Sequence, residues 1–308
     1  MGSDPQLLPI QTHLSGLCSA AMELEASKIH QAVKAALAED VGGGDATTIS
    51  VIPSDARAKA SVVAREAMIL CGMAFMREAF LQVDPTIQFL YQSRESQSLE
   101  PGDIVATLEG PAQGILTAER TALNYLQRLS GIATLTRKHV DAIGDLPCRV
   151  LDTRKTTPGW RLFEKYAVAC GGGKNHRMGL HDMVMIKDNH LAALGVVESE
   201  AIALAVQKAR QAFPGLKIEV EADRLEQARW AMEAGADYIL LDNMQPESLV
   251  QAVELNRGRC LLEASGGIGL DTIHAIAATG VDFVSIGALT HSARSVDIAL
   301  DFATIQPA

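Results

Sequence analysis

The sequence predicts an α/β protein whose second half forms an incomplete parallel α/β barrel. Short apolar segments there alternate with helical segments, and the last four apolar segments are spaced by a little over 20 residues. Strands that alternate with helices at this spacing indicate parallel β-α-β units. Most of these segments also end on a polar residue, and in a parallel barrel the carboxyl ends of the strands hold the chemistry. Six strands are too few for a complete eight-stranded barrel, and an open doubly wound sheet is the alternative.

The composition indicates a globular protein with an excess of acidic residues. The chain has 308 residues, of which 48% are hydrophobic and 21% charged, and its formal net charge is −10. A chain of this length forms one large domain or two ordinary ones and can bury a substantial core. The acidic balance argues against a general binder of nucleic acids or membrane surfaces. No segment approaches the roughly 18 consecutive apolar residues of a transmembrane helix.

The N-terminal segment and the cysteines both favour a cytosolic protein. The stretch from Met1 to Ala20 lacks a basic segment followed by an apolar run, so we expect no signal peptide. The five cysteines are scattered, odd in number and without a Cys-x-x-Cys pair. This pattern is typical of reduced thiols and contains no metal-site signature.

The first half of the chain predicts an α+β unit. Apolar residues recur at helical spacing from Glu23 to Ala38, and the glycines at 42–44 end this helix as C-cap and turn. Alternating apolar residues predict a strand over Ala58–Ala64. Thr117 is expected to cap a long helix from Ala118 to about Ala142, which leads out of the unit. The other predicted elements are a helix over Met73–Val83 and strands near Ile87–Tyr91 and Asp103–Leu108.

Each predicted barrel strand is an apolar segment, and the later ones precede helical segments such as Leu225–Ala234 and Thr272–Ala278. The six strands are Arg149–Asp152, Met183–Lys187, Ile218–Glu221, Tyr238–Asp242, Leu261–Ala264 and Phe283–Ile286. The residues at their carboxyl ends are Asp152, Lys187, Glu221, Asp242, Ser265 and Gly287. Because the carboxyl ends of parallel strands lie at one edge of the sheet, we expect these residues to converge.

A local excess of basic residues marks the middle of the chain. From Arg120 to His190 there are 12 Lys and Arg residues and six Asp and Glu residues, a net charge of +6 in an otherwise acidic chain. This concentration indicates a cavity for a small polyanion rather than a duplex. The two best candidate segments are Leu151–Gly159 and Gly171–Arg177, although each alone also fits an ordinary turn. Three other cations are attributed to a solvated helix face: Arg128, Arg137 and Lys138.

Lysine and carboxylate residues near neighbouring strand ends form a second candidate group. Lys187 either binds an anionic substrate or forms a structural ion pair. Glu219 and Glu221 share one face of their strand, and Asp242 ends the next strand. On an inward face these carboxylates need cations, a metal or a developing positive charge, whereas on an outward face they have no functional meaning. Without His or Cys, the pair Glu221 and Asp242 favours Mg²⁺ or Mn²⁺ over zinc.

Two turns after the last two strands predict a phosphate site. Ala264–Ile268 and Ser285–Thr290 both consist largely of small residues. In barrels the corresponding loops commonly bind a phosphate through backbone N–H groups and a helix N-terminus. The chain therefore predicts one monophosphate site beside a carboxylate pair and a cluster of cations.

Seven motifs, in order, resemble the quinolinate phosphoribosyltransferase family, also called nicotinate-nucleotide pyrophosphorylase (carboxylating). They are Thr153–Gly159, Gly173–Arg177, Ile186–His190, Glu219–Glu221, Leu241–Asn243, Ser265–Gly267 and Gly287–His291. The resemblance spans about residues 23–303, and its main local departure is Met244, where the family commonly has Phe.

The resemblance implies a fold and a reaction. The fold would be an N-terminal open-faced α/β sandwich, 23–125, with the C-terminal tail, 294–308, packed back on it, and an incomplete barrel of six to seven strands, 126–293. The reaction would transfer phosphoribosyl from phosphoribosyl pyrophosphate to quinolinate with loss of CO₂, giving nicotinate mononucleotide and pyrophosphate for NAD biosynthesis. It would take place in a cytoplasmic homodimer with Mg²⁺ as cofactor, at sites formed between the subunits.

The resemblance also implies residue roles. The residues that would hold the quinolinate carboxylates are Arg154, Lys155, His176 and Arg177, joined by Arg120 across the dimer interface, and the substrate-binding set also includes Thr153. Lys187, Glu221 and Asp242 are implied as catalytic, with Glu219 close behind. Glu221 and Asp242 would also hold Mg²⁺ through water. The residues that would cradle the 5′-phosphate are Ser265, Gly266, Gly267, Gly287 and Ala288.

Three other functions stay open at this point. An enzyme of the same fold acting on nicotinate would need fewer cations, because its substrate has one carboxylate instead of two. A phosphate-binding barrel isomerase or aldolase would use Lys187 as a Schiff base, which demands apolar surroundings, yet acids and amides flank this lysine. If the chain were only a binding or scaffold protein, nothing would explain why six polar strand ends point the same way.

Overall fold

The computed structural model describes Met22 and residues 24–306, in two main sheets joined by a long helix. The predicted absence of a signal peptide concerns Met1 to Ala20, which lie outside the described residues. Within the described part of the chain, no helix is both long and apolar enough to cross a lipid bilayer.

The N-terminal unit combines helices with a four-stranded antiparallel sheet. In chain order its elements are α1 Ala26–Val41, α2 Ala46–Val51, β1 Arg57–Ala64, β2 Met68–Ile69, α3 Met73–Val83, β3 Gln88–Gln92, β4 Ser98–Leu99, β5 Ile104–Pro111 and α4 Ala112–Ile143. The sheet order is β12-β1-β5-β3, where β12, Ile298–Gln306, comes from the end of the chain and runs antiparallel to β1. The predicted helices and strands of this unit are confirmed, with ends shifted by a few residues.

The long helix α4 begins earlier than the sequence predicts. It spans 32 residues from Ala112, directly after Pro111 at the end of β5, so the predicted start at Ala118 with Thr117 as cap is wrong. The apolar face already begins at Ala112 and Ile115, both fully buried, and the tertiary contacts of this face extend the helix by two turns. Thr117 lies inside the helix, where its Oγ1 donates to Oδ2 of Asp45, the N-cap of α2, at 3.2 Å.

The second unit is a six-stranded parallel sheet whose strands alternate with helices. Its elements are β6 Arg149–Leu151, α5 Arg161–Cys170, β7 Val184–Ile186, α6 Asp188–Ala192, α7 Glu198–Ala212, β8 Ile218–Ala222, α8 Leu225–Glu233, β9 Tyr238–Asp242, α9 Pro246–Asn256, β10 Leu261–Ser265, α10 Ile273–Ala277, β11 Phe283–Ser285 and α11 Ala288–His291. The strand order is β6-β11-β10-β9-β8-β7, and Lys174 forms one further parallel bridge to Leu151 on the outer side of β6. The predicted fold class, an incomplete parallel barrel beside a separate α/β unit, is confirmed.

Aromatic rings pack α3, α4 and α5 together where the two units meet. Phe75 of α3 stacks on Tyr125 of α4 at 4.8 Å between ring centroids, and Tyr125 stacks on Trp160 at 5.0 Å. Phe163 of α5 contacts Phe75 edge to face at 4.9 Å. The residues of both units thus belong to one continuous hydrophobic core.

The basic residues assigned to a solvated helix face behave in two ways. The assignment is wrong for Arg128, which is three-quarters buried and donates to the backbone oxygens of Ala293 at 2.6 Å and Thr290 at 2.5 Å. It is also wrong for Arg137, whose Nε donates to the oxygen of Gly171 at 3.0 Å. Only Lys138 is exposed as expected. Both arginines bond to carbonyls from the second unit, because α4 packs against the barrel along this face.

A glycine on α4 provides a test of this packing. A Cβ at Gly131 would overlap the carbonyl oxygen of Arg294, since the chain between α11 and β12 runs directly over the helix. We expect Gly131→Ala to lower the free energy of unfolding by about 1–3 kcal/mol, although alanine favours helix by about 1 kcal/mol. Denaturant titration measures the change. Gly43→Ala is the control, because a Cβ there meets nothing within 4 Å. Equal stability of both variants would contradict the packing described.

Candidate active site

The barrel interior is layered from an apolar floor to a polar mouth. The floor includes Leu261, which lies beside Tyr238 in the strand register, and Phe283, whose ring centroid is 6.3 Å from that of Tyr238. Glu263 lies beside Phe283 on the neighbouring strand. Two residues after Glu263 on the same strand, Ser265 lies beside Asp242 of β9 and Ser285 of β11. Of the residues predicted to converge, Asp242 and Ser265 thus lie side by side at the carboxyl edge of the sheet, whereas the side chain of Asp152 is bonded to Lys165 of α5.

A buried ion pair organises the loop that follows α5. The side chains of Asp152 and Lys165 are both fully buried and bonded to each other. Asp152 also accepts the backbone N–H of His176 at 2.8 Å and Nδ2 of Asn175 at 2.7 Å, while Lys165 Nζ donates to the oxygen of His176 at 3.0 Å. Burial raises the pKa of Asp152 and lowers that of Lys165, and each charge offsets the effect on its partner. The pair holds the backbone of this loop, Gly171–Arg177, against β6, the first strand of the barrel. We call it the basic loop.

His176 points from this loop onto two buried carboxylates. Its Nε2 lies 3.1 Å from Oε2 of Glu219 on β8 and 3.3 Å from Oε2 of Glu263 on β10. Burial lowers the pKa of His176, but the charges of Glu263 and Glu219 outweigh burial and raise it to about 10. Burial and the charge of Glu263 raise the pKa of Glu219 to about 7. The backbone N–H of Arg177 donates to Nδ1 of His176 at 2.7 Å, so contacts on both ring nitrogens fix the orientation of the imidazole.

The charge of Arg154 acts on Arg177, and the carboxylates of Glu219 and Asp182 oppose its effect. Arg177 donates to the oxygen of Met183 at 3.1 Å, and burial together with the charge of Arg154 lowers its pKa. The Nε of Arg154 is buried and makes no hydrogen bond within the described residues, and the same holds for Ser285 Oγ. Native proteins rarely leave buried polar atoms without partners, and a bound anion satisfies such donors.

Two further side chains hold the Thr153–Gly159 segment in place, and the sequence analysis did not single them out. The fully buried Glu164 accepts the backbone N–H of Thr157 at 3.0 Å and its hydroxyl at 2.9 Å, and it pairs with Arg128 at 2.8 Å. Arg161 donates from Nε to Thr156 Oγ1 at 3.0 Å. These contacts leave Arg154 half-buried and Lys155 exposed at the mouth of the barrel.

Lys187, Glu221 and Asp242 lie at the mouth above the buried carboxylates. Lys187 Nζ is 2.5 Å from Oε2 of Glu221, in a pair that solvent reaches. Asp242 accepts Nδ2 of Asn243 at 2.8 Å through Oδ2. Glu219 and Glu221 lie two residues apart on β8 and therefore share one face of the strand. This face points inward, because Glu219 lies beside Tyr238 of the barrel floor and Glu221 beside Leu240.

The two predicted phosphate turns have glycines where a larger residue would not fit. Gly266 has φ of +101°, and a Cβ there would overlap the side chain of Asn243. At Gly287 a Cβ would lie 3.0 Å from Cδ of Lys155 and 3.1 Å from Nε2 of His291. Backbone N–H groups at both turns can therefore be approached closely by an anion.

The structure does not bring every predicted residue to this site. Arg120 is exposed on α4, and within the described residues no side-chain hydrogen bond or ion pair joins it to the barrel mouth. Conversely, the sequence analysis missed Glu263 and Lys165. Glu263 interrupts the apolar strand Leu261–Ala264, and a lone carboxylate inside a buried strand is the signal that could have identified it.

Two family models match the chain and together cover most of it. The model described as quinolinate phosphoribosyl transferase, N-terminal domain, matches residues 45–130, and the model of the C-terminal domain matches residues 132–301.

Curated relatives are similar over nearly their whole length. The probable nicotinate-nucleotide pyrophosphorylase [carboxylating] of Bacillus subtilis is 45% identical over 85% of this chain and 89% of its own. The chloroplastic nicotinate-nucleotide pyrophosphorylase [carboxylating] of Arabidopsis thaliana is 41% identical over 88% of this chain and 82% of its own.

Solved structures share the fold. The nicotinate-nucleotide pyrophosphorylase of Francisella tularensis superposes with a TM-score of 0.86 at 40% identity, over 94% of this chain and 99% of that one. NadC of Streptococcus pyogenes gives a TM-score of 0.85 at 43% identity, over 92% of this chain and 99% of that one.

The Asp152–Lys165 pair provides a test of the site's construction. We expect Lys165→Met to lower the free energy of unfolding by about 3–5 kcal/mol, because it leaves a buried carboxylate without its cation. Lys217→Met is the control. Lys217 is also ion-paired, to Asp237, but its side chain is 56% exposed, so we expect a loss of less than about 1 kcal/mol. Chemical denaturation of both variants measures the difference, and equal losses would contradict the role given to the buried pair.

Proposed function

The chain belongs to the quinolinate phosphoribosyltransferase family, and we propose that it transfers phosphoribosyl from phosphoribosyl pyrophosphate to quinolinate. The products are nicotinate mononucleotide, CO₂ and pyrophosphate, for the de novo biosynthesis of NAD. The observation that supports this function most strongly is the buried Nε of Arg154, which has no hydrogen-bond partner within the described residues, near two glycine turns at the barrel mouth. A dicarboxylate and a phosphate ester are the anions that such a site accommodates.

The cations of Thr153–Gly159 and of the loop after α5 are assigned to the two carboxylates of quinolinate. Arg154 has an unused buried Nε, and Arg177 is held by the backbone of Met183 so that its charge stays beside that of Arg154. Lys155 lies at the exposed rim, and Thr153 Oγ1 accepts the backbone N–H of Lys155 at 3.0 Å, which shapes the turn. His176 forms the inner wall, with its ring fixed by the buried carboxylates.

The opposite side of the mouth is assigned to the phosphoribosyl group. Backbone N–H groups in the two turns would bind the 5′-phosphate; the turn residues are Ser265, Gly266, Gly267, Gly287 and Ala288. Asp242 lies beside Ser265 in the register, so a carboxylate would face the ribose hydroxyls next to the phosphate. Thr290 Oγ1 donates to the oxygen of Lys155 at 2.7 Å and ties this turn to the carboxylate-binding segment.

We propose that Glu221 and Asp242 hold Mg²⁺, through water. Each carboxylate uses one oxygen, Glu221 Oε2 toward Lys187 and Asp242 Oδ2 toward Asn243, and within the described residues the other oxygen of each makes no hydrogen bond. An all-oxygen donor set that leaves room for water fits Mg²⁺. When bound, the ion would neutralise charge on the pyrophosphate.

The chemistry requires positioning and charge rather than a covalent nucleophile. The bond from C1′ to the pyrophosphate oxygen breaks with its electron pair, and the lone pair of the ring nitrogen forms the new bond to C1′. Glu221, Asp242 and the buried Glu219 supply negative charge where C1′ becomes cationic, and Lys187 faces the reacting groups. The bond between C2 and its carboxylate then breaks, the electrons are stabilised by the positive ring nitrogen, and C2 takes up a proton.

The contacts of Lys187 argue against an aldolase. A Schiff-base lysine requires apolar surroundings, but Nζ of Lys187 lies 2.5 Å from the Glu221 carboxylate, in a pair that solvent reaches. An enzyme specific for nicotinate would leave the second cation of the Arg154 and Arg177 pair without a carboxylate. Both alternatives are therefore less well supported.

We further propose a cytoplasmic homodimer in which Arg120 reaches the partner's site. The described cysteines are all unpaired thiols, which is typical of a reducing compartment. Arg120 is exposed on α4 and makes no side-chain hydrogen bond or ion pair within the described residues, so it is available to another copy of the chain.

Product analysis tests the function directly. We expect quinolinate, phosphoribosyl pyrophosphate and Mg²⁺ to yield nicotinate mononucleotide and CO₂ in equal amounts, because one carboxylate is lost for each transfer. The same mixture with nicotinate instead of quinolinate is expected to stay unreacted. Mass spectrometry of the nucleotide and trapping of CO₂ measure both products. Turnover of nicotinate alone would contradict the assignment of the cation cluster to a dicarboxylate.

A single substitution tests the carboxylate assignment. We expect Arg154→Ala to raise KM for quinolinate about 10- to 100-fold, since a hydrogen bond to a charged group contributes roughly 1.5–3 kcal/mol. KM for phosphoribosyl pyrophosphate should change less than about threefold, because Arg154 is assigned to the other substrate. Arg149→Ala is the control, since this exposed residue lies at the opposite end of the same strand. Equal losses for both substrates would show that Arg154 does not select quinolinate.

Mixed dimers test the role of Arg120. If it acts across the interface, a dimer of one Arg120→Ala chain and one Arg154→Ala chain contains one intact site. Random mixing of the two impaired proteins should therefore restore about a quarter of wild-type activity, when quinolinate is kept well below the raised KM of Arg154→Ala. Steady-state assays before and after mixing measure the gain. No gain, once mass spectrometry shows that heterodimers have formed, would place Arg120 in its own subunit's site or outside it.

A further inference from the structure

A cluster of thiols and a carboxylate lies away from the barrel mouth. Cys71, Cys170 and Glu95 each offer one metal-ligating atom, and these atoms all lie within 4.8 Å of one another. Cys71 directly precedes Gly72, the N-cap of α3, whereas Glu95 follows β3 and Cys170 ends α5. The residues are far apart in sequence, and none of them takes part in the proposed phosphoribosyl transfer.

The carboxylate of this cluster is held in place by backbone N–H groups. Oε1 of Glu95 accepts the N–H of Gly72 at 2.6 Å, and Oε2 accepts that of Met73 at 3.2 Å. The Sγ of Cys170 lies 4.0 Å from the same Oε1. Each carboxylate oxygen has a further lone pair, so Glu95 remains able to coordinate a cation.

The cluster borders a cavity that leads to solvent. The cavity has a volume of about 450 Å³, and its lining includes Glu95, Ser96, Tyr166 and Cys170. Cys71 is fully buried behind it, Cys170 is 8% exposed, and Ser96 at the rim is exposed. A small hydrated ion therefore has a path to the thiols, and a water molecule has room on the cavity side of the cluster.

We propose that Cys71, Cys170 and Glu95 form a binding site for a thiophilic divalent cation of the Zn²⁺ class, with a water from the cavity as fourth ligand. Two sulfur donors and one carboxylate oxygen suit zinc, whereas Mg²⁺ and Ca²⁺ prefer oxygen donors alone. Around a tetrahedral zinc ion the donor atoms lie roughly 3.4–3.8 Å apart. Ligand atoms that lie within 4.8 Å of one another thus need to approach by about 1.4 Å at most.

Binding at this site exchanges protons for the metal. Burial raises the pKa of Cys71 well above its usual value, so this thiol is protonated when no metal is present. Each sulfur that coordinates releases its proton to solvent, and the metal remains divalent throughout, so no oxidant is consumed. Affinity should consequently rise with pH.

A metal here would connect the two units of the fold. Cys71 and Glu95 belong to the N-terminal unit, whereas Cys170 ends α5 and is followed directly by Gly171–Gly173 and the basic loop. Because only the folded chain assembles the three ligands, a bound ion stabilises the folded state.

Cobalt titration tests the site without reference to activity. The full-length protein is treated with a chelator, kept reduced with a phosphine and titrated with Co²⁺. We expect one equivalent to produce a thiolate-to-cobalt charge-transfer band and the visible bands of tetrahedral cobalt, both of which Zn²⁺ should abolish. The thermal unfolding midpoint should also rise with added Zn²⁺.

Cysteine variants assign the signal to these residues. Loss of a residue that only hydrogen-bonds to a metal ligand lowers metal affinity roughly 10- to 100-fold. Cys170→Ser removes a ligand itself, so we expect a larger loss of affinity. Glu95→Gln provides a second variant that leaves the buried Cys71 untouched. The controls are Cys148→Ser and Cys260→Ser, which should bind as tightly as the unmodified chain.

Three results would overturn the proposal. The first is the absence of a charge-transfer band in the reduced wild-type protein. The second is a band that persists at full affinity in Cys170→Ser. The third is formation of a Cys71–Cys170 disulfide with oxidised glutathione in a protein that takes up no cobalt, which would identify the pair as a redox couple.

Discussion

The buried ion pair between Asp152 and Lys165 is the interaction on which the site depends. Neither side chain reaches solvent, so each requires the other, and both also bind the backbone around His176. The pair thereby fixes the end of a loop rich in glycine and cations, whose first residues, Gly171 to Lys174, are already held by backbone hydrogen bonds to α5 and β6. An isolated loop of like charges would spread apart, whereas here its charges are directed into the barrel.

The distribution of charge within the barrel then determines what the site can bind. Cations of the basic loop and acids of β8–β10 face each other across the mouth, above an apolar floor. This arrangement provides positive charge for the carboxylates of one substrate and negative charge near the carbon that becomes cationic. Because the charges are fixed before substrate binds, little reorganisation is needed during the reaction.

The sequence was sufficient for the strand ends but insufficient for contacts between distant segments. Polar residues after apolar strands predicted Lys187, Glu221 and Asp242 at one edge, since parallel strands share their direction. The early start of α4 was missed because tertiary packing, and not a capping residue, sets its first turns. Glu263 was overlooked although it interrupts an apolar strand. The approach of Cys71 to Cys170, in contrast, depends on which helices and loops become neighbours, and local sequence patterns contain no such information.

The binding affinity of an Asn175→Ala variant for quinolinate tests the central claim most directly. Asn175 Nδ2 bonds to Asp152 Oδ2 at 2.7 Å and to the oxygen of Lys165 at 2.8 Å, so this variant loosens the loop without removing any cation. Calorimetry should give a Kd for quinolinate that rises at least about tenfold, with the Kd for phosphoribosyl pyrophosphate changed less than about threefold. Unchanged affinity for quinolinate in the folded variant would contradict the claim that the buried pair organises the dicarboxylate site.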